Sequence, residues 1–213
     1  MITIKNFVFN DFQVNTYILY DKTKECVIID PGCYSKSEKS ELANFIEKQA
    51  LKPVKILNTH CHIDHILGNN FVAEKYKIGS EIHKKGDFLL KRARDYALAF
   101  GLETDKIIEP VRYLDDGDIV KFGDSELKIL YTPGHSNDGI SFVNEKQKFV
   151  IVGDTLFKQG IGRTDLTTSN YDALINSVKT KLFKLSDDYT VYTGHGPSTS
   201  IGFEKNNNPF LCC

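Results

Sequence analysis

The amino-acid sequence predicts an α/β (α+β) protein with more than one sheet. Three observations carry that expectation: strand-like runs fill both halves, amphipathic helical stretches interleave them, and several apolar strands end in a tight turn and a His or Asp. In the first third, residues 2–9, 16–20 and 26–30 read as strands, the last closing in the turn signal Asp30-Pro31-Gly32. Over 35–50 the period changes: Leu42, Phe45, Ile46 and Gln49/Ala50 recur at the spacing of an amphipathic helix. Residues 54–57 form a strand that runs straight into NTHCHIDH. Helices are expected over 69–77 and 86–100, with a strand at EIHKK between them. The second half gives strands near 119–122, 126–131, 140–143 and 148–152. A helix at 170–185 aligns Leu174, Ile175, Val178, Leu182 and Leu185, and a last strand, 189–192, precedes Thr193-Gly194-His195.

With 213 residues and 41% apolar side chains, the chain is long enough to bury a core without staples. No internal repeat, low-complexity tract or linker interrupts it, which predicts a single domain over 1–213. Its 27 Lys+Arg against 28 Asp+Glu leave a net charge of -1 and no excess with which to neutralise phosphates, so nucleic acid is not an expected partner. Apolar runs fall short of the ~18 residues of a membrane span, and Lys5 and Asp11 break the N-terminal apolar stretch, which has no cationic leader. A soluble, cytoplasmic protein with no membrane partner is expected; no pattern specifies an oligomeric state. Five cysteines (Cys26, Cys33, Cys61, Cys212, Cys213) are odd in number and too sparse for a disulfide scaffold.

Polar chemistry collects in a few places. Of six histidines, three lie within His60-Cys61-His62-Ile63-Asp64-His65, and two close strand-then-glycine segments, LKILYTPGH (His135) and YTVYTGH (His195). A carboxylate does the same in KFVIVGD (Asp154). One such turn alone is ordinarily a capped turn with a hydrogen-bonded His. Four segments of one design place their ligands at the same end of several strands, where open sheets put their sites. Imidazole nitrogen and carboxylate oxygen suit a borderline cation such as zinc. His60 and His62 alternate like same-face strand residues and could chelate one ion, while Asp64 and His65 could face a second. Five His and two Asp exceed one tetrahedral ion but suit two ions that share a carboxylate and a water, and no Cys₂ or Cys₄ pattern points to a closed structural site. His83 has no partner segment and reads as a structural histidine. Cys61, between two ligands, is expected to point away and pack.

At these residues the chain resembles the metallo-β-lactamase superfamily. THCHIDH is similar to its T-H-x-H-x-D-H motif, TPGHS, VGDTLF and TGHG supply the later ligands in order, and VIIDPG with Asn15 and Tyr17 also match. The resemblance implies an αββα sandwich of two mixed sheets with helices outside. Residue by residue, it implies that His60, His62 and His135 hold one metal, Asp64, His65 and His195 the other, and Asp154 bridges them. The cofactors so implied are two divalent ions, zinc first, with iron or manganese also suited to the donors.

Within the superfamily, class B β-lactamases lack the bridging aspartate at the Asp154 position, and GDTLFKQGIGRTD is similar to the glyoxalase II-like (hydroxyacylglutathione hydrolase-like) branch, as is the tail NNNPF. That branch implies hydrolysis of a small-molecule thioester by a hydroxide between two cations, with no catalytic residue named beyond it. Glyoxalase II proper adds a helical C-terminal domain that helps bind glutathione; the chain stops soon after His195, so none is expected. Its glutathione-contacting Lys and Tyr align with Arg163 and Asp165. Arg163 could clamp a substrate carboxylate, or pair structurally with Asp165. The rival readings are a mononuclear iron persulfide dioxygenase, a lactone or other ester hydrolase, and a metal-stabilised binding module.

Overall fold

The computed structural model describes residues 1–104 and 107–211, so Cys212 and Cys213 lie outside the described residues. Its contacts divide the chain into two compact units: Met1–Leu114 with Lys121–Glu126, and Asp115–Val120 with Leu127–Cys213.

The first unit is built on a six-stranded sheet in simple sequential order. Its strands are β1 (Thr3–Phe9), β2 (Val14–Tyr20), β3 (Glu25–Ile29), β4 (Lys52–Leu57), β5 (Ser80–His83) and β6 (Arg112–Leu114). β1–β3 form an antiparallel meander, and β3 to β6 pair in parallel. Parallel neighbours need crossovers. Helix α1 (Lys36–Lys48) supplies the first, and α2 (Ile63–Ile66) with α3 (Asn69–Tyr76) the second. α1 starts where Ser35 and Glu38 form a reciprocal capping box, and it buries Leu42, Ala43 and Ile46. Leu42 and Ile46 pack with Cys26, Ile28 and Ile56 of the sheet. Burial pushes the Cys26 and Cys33 thiols up to about 12, so neither is a reactive thiolate.

The expected helix over 86–100 is two short ones, α4 (Asp87–Leu90) and α5 (Ala93–Ala99), after a 3₁₀ turn at 84–86. The break falls at Arg92, whose φ of -109° and ψ of 2° leave the α-helical range. Leu89 packs with Cys61 and Ile82, Ala93 and Ala97 pack with Ile63 and Ile66, and Leu90 and Tyr96 touch both groups. Cys61 is packed as expected, and His83 is buried and caps the 3₁₀ turn, its Nδ1 accepting from Lys85 N at 3.3 Å.

The turn that joins β7 (Ile119–Phe122) to β8 (Ser125–Tyr131) belongs to this unit and is held by Asp21. The Asp21 carboxylate accepts from Thr23 N (2.9 Å), Thr23 Oγ1 (2.6 Å), Asp124 N (2.8 Å) and Ser125 Oγ (2.7 Å). Burial opposes its charge, but these four donors prevail and lower its pKa from 3.8 to about 2. A folded-state pKa below the unfolded one stabilises above the unfolded value and is lost as pH falls through the folded one. Asp21→Asn is therefore expected to reduce stability by roughly 1–2 kcal/mol at pH 7. Urea titrations should show the gap to wild type closing between about pH 4 and pH 2; an unchanged gap across that range would refute the account.

The second unit carries the other mixed sheet, ordered β14-β13-β10-β9-β8-β7. Its remaining strands are β9 (Ile140–Asn144), β10 (Phe149–Ile151), β13 (Thr190–Tyr192) and β14 (Thr199–Ser200). A separate two-stranded hairpin pairs β11 (Leu156–Phe157) with β12 (Gly160–Ile161). Helix α6 (Tyr171–Thr180), capped by Asn170, continues through a 3₁₀ turn at Leu182–Lys184, so the 170–185 stripe survives a change of pitch. α7 (Ile201–Asn207) follows Ser200, whose Oγ caps it. Val143, Val150, Val178, Leu182, Val191, Ile201 and Leu211 form the core. Among the described residues, no helix is long and apolar enough to cross a membrane.

Candidate metal centre

In the first unit, the ends of β3 and β4 are tied by Asp30 N donating to Leu57 O at 2.9 Å. Asp30 itself sits in the left-handed region (φ 48°) and is buried. Its Oδ1 accepts from Thr59 N at 2.7 Å, its Oδ2 from Thr59 Oγ1 at 2.6 Å, and Oδ2 lies 3.0 Å from His65 Nδ1. Since the Thr59 hydroxyl gives its one proton to Asp30, it accepts from His60 Nδ1 across their 3.0 Å contact. This network protonates both histidines on Nδ1 and leaves both Nε2 lone pairs for a ligand.

Residues 60–62 are a loop rather than the end of a strand, and His62 is the N-cap of α2. The loop still gathers the rings, with centroids 4.6 Å apart for His60–His62 and 4.1 Å for His60–His65. Asp64 Oδ2 lies 3.4 Å from His65 Nε2. Asn10 Nδ2 donates to Asp64 O at 3.0 Å and to Gly32 O at 2.9 Å, which holds the turn after β1 to this loop.

In the second unit, β9 is antiparallel to both β8 and β10, and β13 is parallel to β10. β8, β10 and β13 therefore run the same way, and the segments that follow them leave at one end. Gly194 N donates to Gly153 O at 2.7 Å, one residue before Asp154 and His195. Gly134 (φ 145°) admits no side chain, because a Cβ there would lie 2.2 Å from Leu174 Cα. Asp154 Oδ2 lies 3.5 Å from His135 Nε2 and 3.4 Å from His195 Nε2. His135 Nδ1 donates to Arg163 O at 2.9 Å, so this ring too offers Nε2.

These separations test the fit of a metal. At 3.4–3.5 Å the Nε2–carboxylate pairs are longer than charge-assisted hydrogen bonds. Two donors of a tetrahedral ion with bonds near 2.05 Å stand about 3.3 Å apart. The donor set and its spacing thus fit a borderline cation, and each Nδ1 tie is the outer partner that metal-bound imidazoles ordinarily have.

The structure brings His60, His62, Asp64 and His65 together in one unit, and His135, Asp154 and His195 in the other. Arg163 is paired with Asp165: its Nε and Nη2 donate to the Asp165 carboxylate at 2.7 and 2.6 Å. That double hydrogen bond, reinforced by Coulomb attraction, raises the Arg163 pKa and, against slight desolvation, lowers that of Asp165 to about 2. Asp30 as a positioning carboxylate escaped the sequence reading, which took it as a turn residue. A signal was there, since VIID has the same design as the VGD segment of Asp154.

In each unit a mixed sheet is followed by His and Asp donors suited to a metal ion. The chain belongs to the metallo-beta-lactamase superfamily, whose profile matches residues 9–195. It is 38% identical over 204 residues to hydroxyacylglutathione hydrolase GloC of Haemophilus influenzae, covering 94% of this chain and 93% of that one. Among solved structures, BLEG-1 B3 metallo-beta-lactamase superposes with a TM-score of 0.90 at 32% identity, over 99% of this chain and 100% of that one. TTHA1623 in a di-iron-bound form gives 0.87 at 33% identity, over 97% and 100%. The two mixed sheets implied by the resemblance are present.

Proposed function

We propose that this protein hydrolyses small-molecule thioesters of the hydroxyacylglutathione type at a binuclear metal centre. His60, His62 and His135 would hold one ion, Asp64, His65 and His195 the other, and Asp154 would bridge them. The observation that carries this reading is the pairing, within each unit, of Nε2 and carboxylate tips at ligand–ligand spacing, with Nδ1 of His65 and of His135 already engaged. The likeness to GloC supports the thioester. The donors favour zinc, and the di-iron form of TTHA1623 supports iron as a second choice.

When bound, the ions would polarise the acyl carbonyl and bring the pKa of a water towards ~7. The chain's own residues orient the donors: Asp30 and Thr59 hold His65 and His60, and the Arg163 carbonyl holds His135. A thiolate leaves with a pKa of ~8.5, so no side chain need donate a proton to it.

Metal analysis of protein purified without chelators or added metal, followed by turnover of S-lactoylglutathione, tests the proposal. About two ions per chain and thioester turnover lost on chelation with the fold intact are expected. One iron per chain with oxygen uptake on a glutathione persulfide would replace it with the dioxygenase. Opening of a chromogenic cephalosporin without thioester turnover would replace it with the activity for which BLEG-1 is named.

Arg163 enters the same scheme as the anion contact, held in reserve by Asp165. Arg163→Ala should raise KM for S-lactoylglutathione roughly tenfold with little change in kcat. Asp165→Asn should lower KM by releasing the guanidinium. If KM is unmoved in both variants, the pair is purely structural.

A further inference from the structure

Helix α7 and its C-cap hold two polar side chains that are completely buried, although nothing in the run Glu204-Lys205-Asn206-Asn207-Asn208 sets them apart. Glu204 accepts three hydrogen bonds: Oε1 from Thr199 Oγ1 at 2.5 Å, and Oε2 from Asn208 Nδ2 at 2.8 Å and Gln159 N at 2.9 Å. Asn208 Nδ2 also donates to Gly160 O at 3.0 Å. Burying an acid and an amide is costly unless they are satisfied. Here they are satisfied by Thr199, by each other and by two consecutive residues, Gln159 and Gly160, in the turn between β11 and β12. Gln159 adopts φ 57°, a conformation that favours glycine and that the Glu204 contact helps to hold.

That turn lies between the pieces of the second unit's donor cluster. Asp154 precedes β11 by two residues, and the Phe157 ring of β11 lies 6.4 Å from the ring of His195. On the other side, the chain leaves β12 through Gly162, where a Cβ would stand 2.0 Å from Asp154 O and 2.8 Å from His135 Cβ. The next residue is Arg163, whose carbonyl takes the Nδ1 proton of His135 at 2.9 Å. A shift of the hairpin by a fraction of an ångström would therefore reach all three donors of this unit.

We propose that Glu204 and Asn208 are positioning residues for His135, Asp154 and His195, acting by locking the β11–β12 hairpin so that the Arg163 carbonyl keeps His135 protonated on Nδ1. The lock rests on the reading of His135 as a metal ligand. Its function is to present a ready-made Nε2 lone pair, so that binding a cation requires no change of tautomer.

The test compares Glu204→Ala with Glu204→Gln in the full chain. The alanine removes all three hydrogen bonds. The glutamine keeps them in effect: its amide oxygen can accept from Gln159 and Asn208 while its NH₂ donates to the Thr199 hydroxyl. The first readout is the imidazole ¹⁵N spectrum of the metal-free protein. The second is cobalt(II) titration followed by its d–d absorption. Wild type should show His135 as the Nδ1–H tautomer. Glu204→Ala should show mixed tautomers and a cobalt affinity lower by roughly 10–100-fold. Glu204→Gln should restore both, and Asp21→Asn, destabilised elsewhere, should leave both unmoved. A folded Glu204→Ala with wild-type tautomer and affinity would overturn the lock. Should that variant fail to fold, Asn208→Ala removes only the amide contacts and is judged by the same two readouts. A wild type that takes up no cobalt, yet loses the tautomer in Glu204→Ala, would overturn the metal reading and leave the lock standing.

Discussion

Asp154→Ala is expected to bind at most one metal ion per chain and to lose thioester turnover by roughly 10³-fold or more, about 4 kcal/mol of transition-state stabilisation. One oxygen of this carboxylate stands 3.5 and 3.4 Å from two imidazole tips, so on the proposed assignment its removal would take away the donor that both ions share. Asp154 is partly exposed and packs no core, so the loss should come without unfolding. Metal analysis and S-lactoylglutathione turnover on the same preparation, with circular dichroism as the control for folding, decide the matter. Two ions and full activity in this variant would sink the binuclear assignment.

Asp30→Asn should produce the second largest effect, by a different route. All three groups that face the Asp30 carboxylate are donors: Thr59 N, Thr59 Oγ1 and His65 Nδ1. An asparagine turns an NH₂ towards one of them and leaves a buried donor unsatisfied, at about 1–3 kcal/mol. In a chain of this length that corresponds to a fall in Tm of roughly 3–10 °C. His60 and His65 also lose the network that sets their tautomers, so affinity in this half of the site should drop by about 10–100-fold. The substitution is otherwise gentle, since asparagine tolerates the positive φ at this position. A thermal melt together with a cobalt titration would show both effects. A normal affinity at lowered Tm would mean that Asp30 supports the fold and not the ligands.

Much of the centre could be read from the chain because its design is local. Ile129 and Leu130 before Pro133-Gly134-His135, or Val150 and Ile151 before Gly153-Asp154, announce a buried strand, a turn and a donor within a few residues. The core-facing stripes of α1 and α6 were legible for the same reason. β6, β11, β12 and β14, of two or three residues and without the apolar run, turn and donor that mark β10 and β13, have too little length for a period to register. The break between α4 and α5 is a backbone departure at Arg92 that no breaker residue announces, and α7 hides its importance behind a polar composition. Nothing in EKNNN says that Glu204 and Asn208 are sealed from water while their neighbours Lys205, Asn206 and Asn207 are not. Asp30 illustrates a further limit: its turn is encoded by Asp-Pro-Gly, but its task is set by Thr59 and His65, which meet it only in the folded chain.

Arg163 serves the centre through its main chain and faces outward with its side chain, which is 63% exposed. Every amino acid carries the same carbonyl, so the orientation of His135 does not depend on which residue stands there. Gly162, one step earlier, tolerates no such change. The two adjoining positions thus separate what must stay fixed from what can be altered. A library of all residues at position 163 should return proteins with the same metal content and differing substrate preference, a point of entry for redesign that leaves the reactive core alone.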